Sequence, residues 1–106
     1  MEQVYITITG MNHKYGADFV VPQMVGMMKV YLEKEPDNKH DKEAIVAKVP
    51  GLGKIGYVAN STYTVTGDCY SAGRLYDRIG QAAIATVEYK LDNALVCSID
   101  NESIIG

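Results

Sequence analysis

LEKEPDNKHDKEAIVAKVPGLGKIGYVAN, residues 32–60, is the stretch whose reading decides the fold. An apolar strand ends in a dense polar loop from Lys34 to Glu43. A second strand follows from Ala44 to Val49, and Pro50-Gly51-Leu52-Gly53 turns the chain into a third at Lys54 to Val58. Clustered Pro and Gly mark turns, and the β-branched runs between them mark strands. The loop holds too much Asp, Asn, Pro and Lys to be core. It is a surface that strands present rigidly, the usual position of binding residues.

Upstream, Val4, Ile6 and Ile8 alternate with Tyr5, Thr7 and Thr9, a period-2 pattern that marks a first strand ending at Gly10. Met11 to Gly16 is polar and leaves the sheet. Residues 17–25 hold a short turn or helical element interrupted by Pro22, and Met27 to Glu33 reads as the next strand. Downstream the period changes. Cys69, Ala72, Leu75, Tyr76 and Ile79 fall at helical spacing, with Asp68 placed to cap the start and Gly80 to close the end. Ala83 to Leu91 and Ala94 to Ile99 then form two strands around Asp92-Asn93, a dipeptide suited to a tight hairpin because both residues tolerate positive φ. Six short strands and one main helix make a mainly β (α+β) domain, a closed or nearly closed small barrel, since closure removes exposed edges. Residues 1–100 are read as one domain and 101–106 as a loosely held tail.

Composition narrows the function. At 106 residues and 47% hydrophobic content the chain suits one compact domain that folds without metal or disulfide staples. The apolar runs are broken by Pro22, Gln23 and Gly26, well short of the roughly 20 apolar residues of a membrane span, and the opening MEQVYITITG is no signal peptide. The expected location is cytoplasmic. Cys69 and Cys97 lack metal or disulfide spacing and read as reduced, buried or half-buried thiols, and His13 and His40 stand singly, so neither metal nor cofactor is expected. The net charge of −3 argues against a broad phosphate-binding surface. Residues 29–60, with six Lys against five acids, are +1 while the remainder is −4, an asymmetry that suits a local site for a nucleic-acid end rather than a long track.

The central stretch resembles the HIRAN domain, a small module found attached to helicase-like chromatin-remodelling ATPases and also alone in bacterial proteins. Leu32, Lys34, Glu35, Pro36, Asn38, Asp41, Ala44, Ile45, Ile55, Gly56 and Tyr57 follow its signature in order. Lys34 stands for the usual Arg, Glu43 for the usual Asn, and His40 for the usual aromatic before Asp41. The resemblance implies an OB-like or SH3-like barrel that binds single-stranded DNA and holds its 3′ end, the loop carboxylate receiving the free hydroxyl. Carried onto this chain, Asn38, His40 and Asp41 take the loop positions, and either His13 or Tyr15 takes that of the aromatic after the first strand. Tyr57 and Asn60 match positions that face the same groove.

The residues themselves leave alternatives beside that assignment. Four carboxylates between Glu35 and Glu43 invite a calcium or catalytic reading, but ligand-loop spacing and a nucleophile–base pairing are both absent, so no enzyme is expected. A terminal hydroxyl is a donor, which suits Asp41, while His40 offers a flat ring to a base or sugar. Tyr57 either stacks on a base or is buried beside Ile55, and Lys54 or Lys14 either contacts phosphate or is a solvated charge. Met24, Met27 and Met28 fill core gaps or, if exposed, favour self-association. The rival function is a protein-interaction or homo-oligomerisation module on the same fold, which His40, Glu43 and the acidic total favour.

Overall fold

The computed structural model describes residues 3–9 and 25–105. Six strands, β1 (Tyr5–Thr9), β2 (Lys29–Lys34), β3 (Ile45–Val49), β4 (Gly53–Val58), β5 (Ala82–Lys90) and β6 (Leu95–Ile99), close into an antiparallel barrel in the order β1-β4-β3-β2-β5-β6. One short helix, α1 (Ala72–Tyr76), lies between β4 and β5. Because β6 pairs with both β5 and β1, no strand of the barrel is left with an open edge.

Alternation builds the interior. In β2, Val30 and Leu32 are buried while Lys29, Tyr31 and Glu33 face out. Ile6 and Ile8 of β1, Ala83, Ala85 and Val87 of β5, and Leu95, Cys97 and Ile99 of β6 enter the same core. Ala72 and Leu75 of α1 and Ile79 just beyond it join them, so the helix is held by apolar burial rather than by its own length, which is below what is stable alone. Thr7 is the buried polar residue of β1, and its hydroxyl accepts from the Thr66 amide at 3.1 Å.

Two glycines explain local geometry. Gly51 and Gly53 close the β3–β4 turn with φ of 85° and 79°, a region that L side chains avoid. At Gly56 the reason is space: a Cβ there would sit on the Thr9 carbonyl oxygen and press on Ile8 Cγ2. β1 and β4 are therefore in register at Thr9↔Tyr57 only because residue 56 has no side chain.

All six strands fall within two residues of their sequence positions. The helix is shorter than its spacing predicts. Ser71, not Asp68, caps it, its hydroxyl accepting from the Arg74 amide at 3.2 Å, and Asp77 rather than Gly80 ends it. The flanking residues are taken by strand-like contacts: Tyr70 bridges to Ile6, and Ile79 to Ile104. The Asp92-Asn93 hairpin forms, closed by the Leu91 amide on the Ala94 carbonyl at 2.9 Å, but neither residue uses a positive φ. Residues 101–105 are not loose. Asn101–Ser103 form a 3-10 turn, the Ile84 amide donates to Ser103 Oγ at 3.0 Å, and the Ile105 amide donates to the Arg78 carbonyl at 2.8 Å. Met28 packs against the core while Met27 is exposed, and Met24 lies outside the described residues. Among the described residues, no helix is long and apolar enough to cross a membrane.

Candidate functional site

The polar loop between β2 and β3 is fixed by its own side chains. The Glu35 amide donates to the Ala44 carbonyl at 2.8 Å, which closes the loop base, and the Ala44 amide returns to the Asp41 carbonyl at 3.1 Å. Within it, Asn38 Oδ1 accepts from the amides of His40 at 2.9 Å and Asp41 at 3.1 Å, and Asp41 Oδ1 accepts from the Glu43 amide at 2.8 Å. These are the local turns that Asn and Asp side chains make with following backbone.

Glu35 then ties the loop to β4. Its Oε1 accepts from the Tyr57 hydroxyl at 2.8 Å and from Asn38 Nδ2 at 3.1 Å. The Tyr57 hydroxyl, then the Asn38 amide, then the charges of Lys54 and Lys48 hold the Glu35 carboxyl below its ordinary value against the opposing effect of desolvation. Lys34, preceding it, is also structural: its Nζ donates to the Ile79 carbonyl at 2.9 Å and lies 4.2 Å from the Tyr76 ring centre, joining the end of β2 to the exit of α1.

On the far side stands Asn60. Its Nδ2 donates to Asp41 Oδ2 at 2.8 Å, and its Oδ1 accepts from the Gly73 amide in the first turn of α1 at 2.8 Å. Gly73 makes the approach feasible, since a Cβ there would meet Glu43 Oε1 at 2.8 Å and Asn60 Oδ1 at 3.3 Å. Asp41 is thus bracketed on both oxygens, each of which retains a lone pair, and it is only partly buried.

These elements enclose an open groove of about 580 Å³. Asn38, His40, Asp41, Lys54, Tyr57 and Asn60, all singled out from the sequence, line it together. His13 and Tyr15 lie outside the described residues. His40 is exposed, and Tyr57 is half-buried, neither a core residue nor a free one, with its hydroxyl engaged and its ring 5.0 Å from Lys54 Nζ. The structure adds Thr9, Ser61 and Thr64 as polar lining, and Ala44, Val58 and Ala59 as an apolar floor. Thr9 has no signal of its own in the sequence; it enters through its register with Tyr57. Ser61 and Thr64 belong to a polar run after β4 that reads as an ordinary turn.

The groove is the size of pockets that enclose a small ligand, ~300–1,000 Å³, and its wall carries carboxylate, amide, hydroxyl and ring faces, with Lys54 the lysine that lines it among the described residues; Lys14 lies outside them. Such a surface suits a polar or aromatic group that carries a hydrogen-bond donor. Among the described residues no group of three or more His, Cys, Asp or Glu is placed to hold a metal ion. Both cysteines are free, Cys97 buried and Cys69 half-buried. Comparison with curated proteins and with solved structures gave no match. Residues 1–99 match the HIRAN domain, so nearly the whole chain, and the loop and groove just described with it, belongs to that family of DNA-binding modules.

Proposed function

We propose that the chain binds the end of a single-stranded DNA in this groove, the Asp41 carboxylate accepting the terminal 3′-hydroxyl. The observation that carries the reading is the bracket on Asp41, where the Glu43 amide and Asn60 Nδ2 fix both oxygens at 2.8 Å and leave them open to a further donor. Inside a strand the 3′ oxygen is esterified. Only a free end brings a hydroxyl donor there, so an oriented carboxylate reads the end rather than the sequence.

The neighbouring residues supply the rest. Tyr57 gives its hydroxyl to Glu35 and so offers a ring face, with His40 at the rim as a second flat surface for a base. Asn60 and Asn38 act as positioning residues, since their amides are spent on the loop and on α1. Lys54, on the groove wall, is placed to meet a phosphate. The domain acts by binding and leaves chemistry to other proteins or domains.

The test is a fluorescence-anisotropy titration at low salt with short single strands that differ only at the 3′ terminus, hydroxyl or phosphate. A phosphate removes the donor and sets two anions against each other, so the free end should bind at least ten-fold tighter, the worth of roughly 1.4 kcal/mol. Equal affinity for the two ends defeats the end-recognition reading, and absence of binding at low salt favours a protein-interaction module on the same barrel.

A further inference from the structure

Both arginines of the chain, Arg74 and Arg78, lie on one side of α1 and its exit, four residues apart, against a single aromatic ring. The Arg74 guanidinium is 3.9 Å from the Tyr70 ring centre and that of Arg78 is 5.8 Å away, with Arg78 Nη1 donating to the Tyr70 hydroxyl at 3.1 Å. Among the described residues neither has a carboxylate within salt-bridge distance, although the chain holds thirteen acids. Arg78 Nε is buried without a hydrogen-bond partner. Two like charges are thus held on one ring in an acidic protein.

The helix that carries Arg74 is bonded to the groove wall. The Gly73 amide donates to Asn60 Oδ1, Asn60 lines the groove, and Arg74 is the next residue of α1. The Ala72 amide is likewise bonded to the Ala59 carbonyl at 2.9 Å, so the first turn of the helix rests on the groove wall. A guanidinium stacked on a ring keeps its N–H edges free in its own plane, matches two oxygens of a phosphodiester, and loses little rotamer freedom on binding because the stack already fixes it.

Resting on the reading that a strand end occupies the groove, we propose that Arg74 and Arg78, braced on Tyr70, receive the phosphodiester backbone of that same strand as it leaves the groove past Asn60. The groove reads the end, and the arginine pair adds a second phosphate contact beyond Lys54. Binding should therefore strengthen with strand length over the first few nucleotides and then level off.

The experiment measures affinity for free-ended single strands of two, four, six and eight nucleotides in wild type and in Arg74→Ala, with thermal melts to show equal folding. Arg74 is exposed and meets Tyr70 through the ring face alone, whereas Arg78 is hydrogen-bonded to Tyr70 and is left intact. Dinucleotide binding should be unchanged. The six- and eight-nucleotide strands should lose about three- to ten-fold at low salt, and the slope of log affinity against log salt should fall by about 0.7 for the lost phosphate contact. Arg74→Glu should lower the longer strands further. If wild type discriminates free from blocked ends but Arg74→Ala keeps the same length dependence and salt slope, the arginine pair is only a brace for α1 and the inference fails while the groove reading stands. If no strand of any length binds wild type, both fail together.

Discussion

Replacing Asp41 by Asn separates the carboxylate's part in recognition from its part in the loop. The side chains are nearly isosteric, so the change keeps volume and one oxygen. Whichever way the new amide turns, one bond is lost: toward Asn60 it sets NH2 against Nδ2, and toward Glu43 it sets NH2 against a backbone amide. A partly exposed hydrogen bond contributes about 0.5–1.5 kcal/mol, so the variant should melt only a few degrees below wild type and remain folded. The effect on binding is read as a cycle between protein and ligand, Asp41 or Asp41→Asn against strands ending in 3′-hydroxyl or 3′-deoxy. Removing the hydroxyl without adding charge isolates its one hydrogen bond. A hydroxyl donating to a carboxylate is worth about 1.5–3 kcal/mol, so wild type should prefer the hydroxyl end by roughly ten- to 150-fold, and Asp41→Asn should lose most of that preference. Isothermal calorimetry or anisotropy resolves this easily. A coupling below about 0.5 kcal/mol, with both ends binding measurably, refutes the assignment of Asp41 to the terminal hydroxyl, because so small a value is the size of an exposed, unconstrained contact.

Gly56→Ala should cost about 1–3 kcal/mol, a fall in melting temperature of roughly 5 to 20 °C, because its Cβ meets the Thr9 backbone, whereas Gly80→Ala, with nothing within 4 Å, should be tolerated; equal melts for the two variants contradict the close-approach argument. Glu35 is held below the ordinary glutamate value of 4.5, so its contribution to stability is complete above that pH and is lost as pH falls through the lower folded value. The melting difference between wild type and Glu35→Gln should accordingly be constant near neutrality and shrink below about pH 4.5, and a difference that is flat from pH 7 to pH 3 excludes the Tyr57–Glu35 link. Burial pushes the Cys97 thiol up to about 12, helped by the charge of Glu88. In the native protein a disulfide reagent should modify Cys69 and spare Cys97 until denaturant is added, and equal native rates at the two thiols would show that the barrel interior is open to solvent.

The strands were legible because the chain alternates wherever one face is buried, as Val30 and Leu32 do between Lys29, Tyr31 and Glu33. The helix was overread for a physical reason. Cys69, Ala72, Leu75, Tyr76 and Ile79 are spaced for one apolar face, yet only 72–76 are helical, since Tyr70 and Ile79 gain more from bridging Ile6 and Ile104, and spacing within a segment carries no record of such distant partners. The extent of 101–105 was hidden in the same way, its anchors at Ile79, Ile84 and Arg78 being remote in sequence. The groove is a different case. Its signature residues are bonded to one another: Glu35 to Tyr57 and Asn38, Asn38 to the backbone of His40 and Asp41, and Gly56 in contact with Thr9. The motif is therefore first a folding motif that builds a groove wall, and its match specifies shape more tightly than ligand. On the proposed reading, the faces offered to the ligand rest on fewer positions, Asp41, His40, Lys54 and the ring of Tyr57, of which His40 is exposed and already departs from the aromatic that the family favours. If that reading holds, a ring lost at His40 should weaken binding to every end alike, whereas loss of the Asp41 carboxylate should act on the free hydroxyl end alone. The proposed recognition of an end thus depends on one side chain held by Asn60 and the Glu43 amide, and Asn60→Ala, which frees that carboxylate without touching its charge and also releases the Gly73 amide, should lower the free-end affinity more than the blocked-end affinity, as anisotropy with the two strands would read; an equal loss for both ends would mean that Asn60 shapes the groove and does not position Asp41.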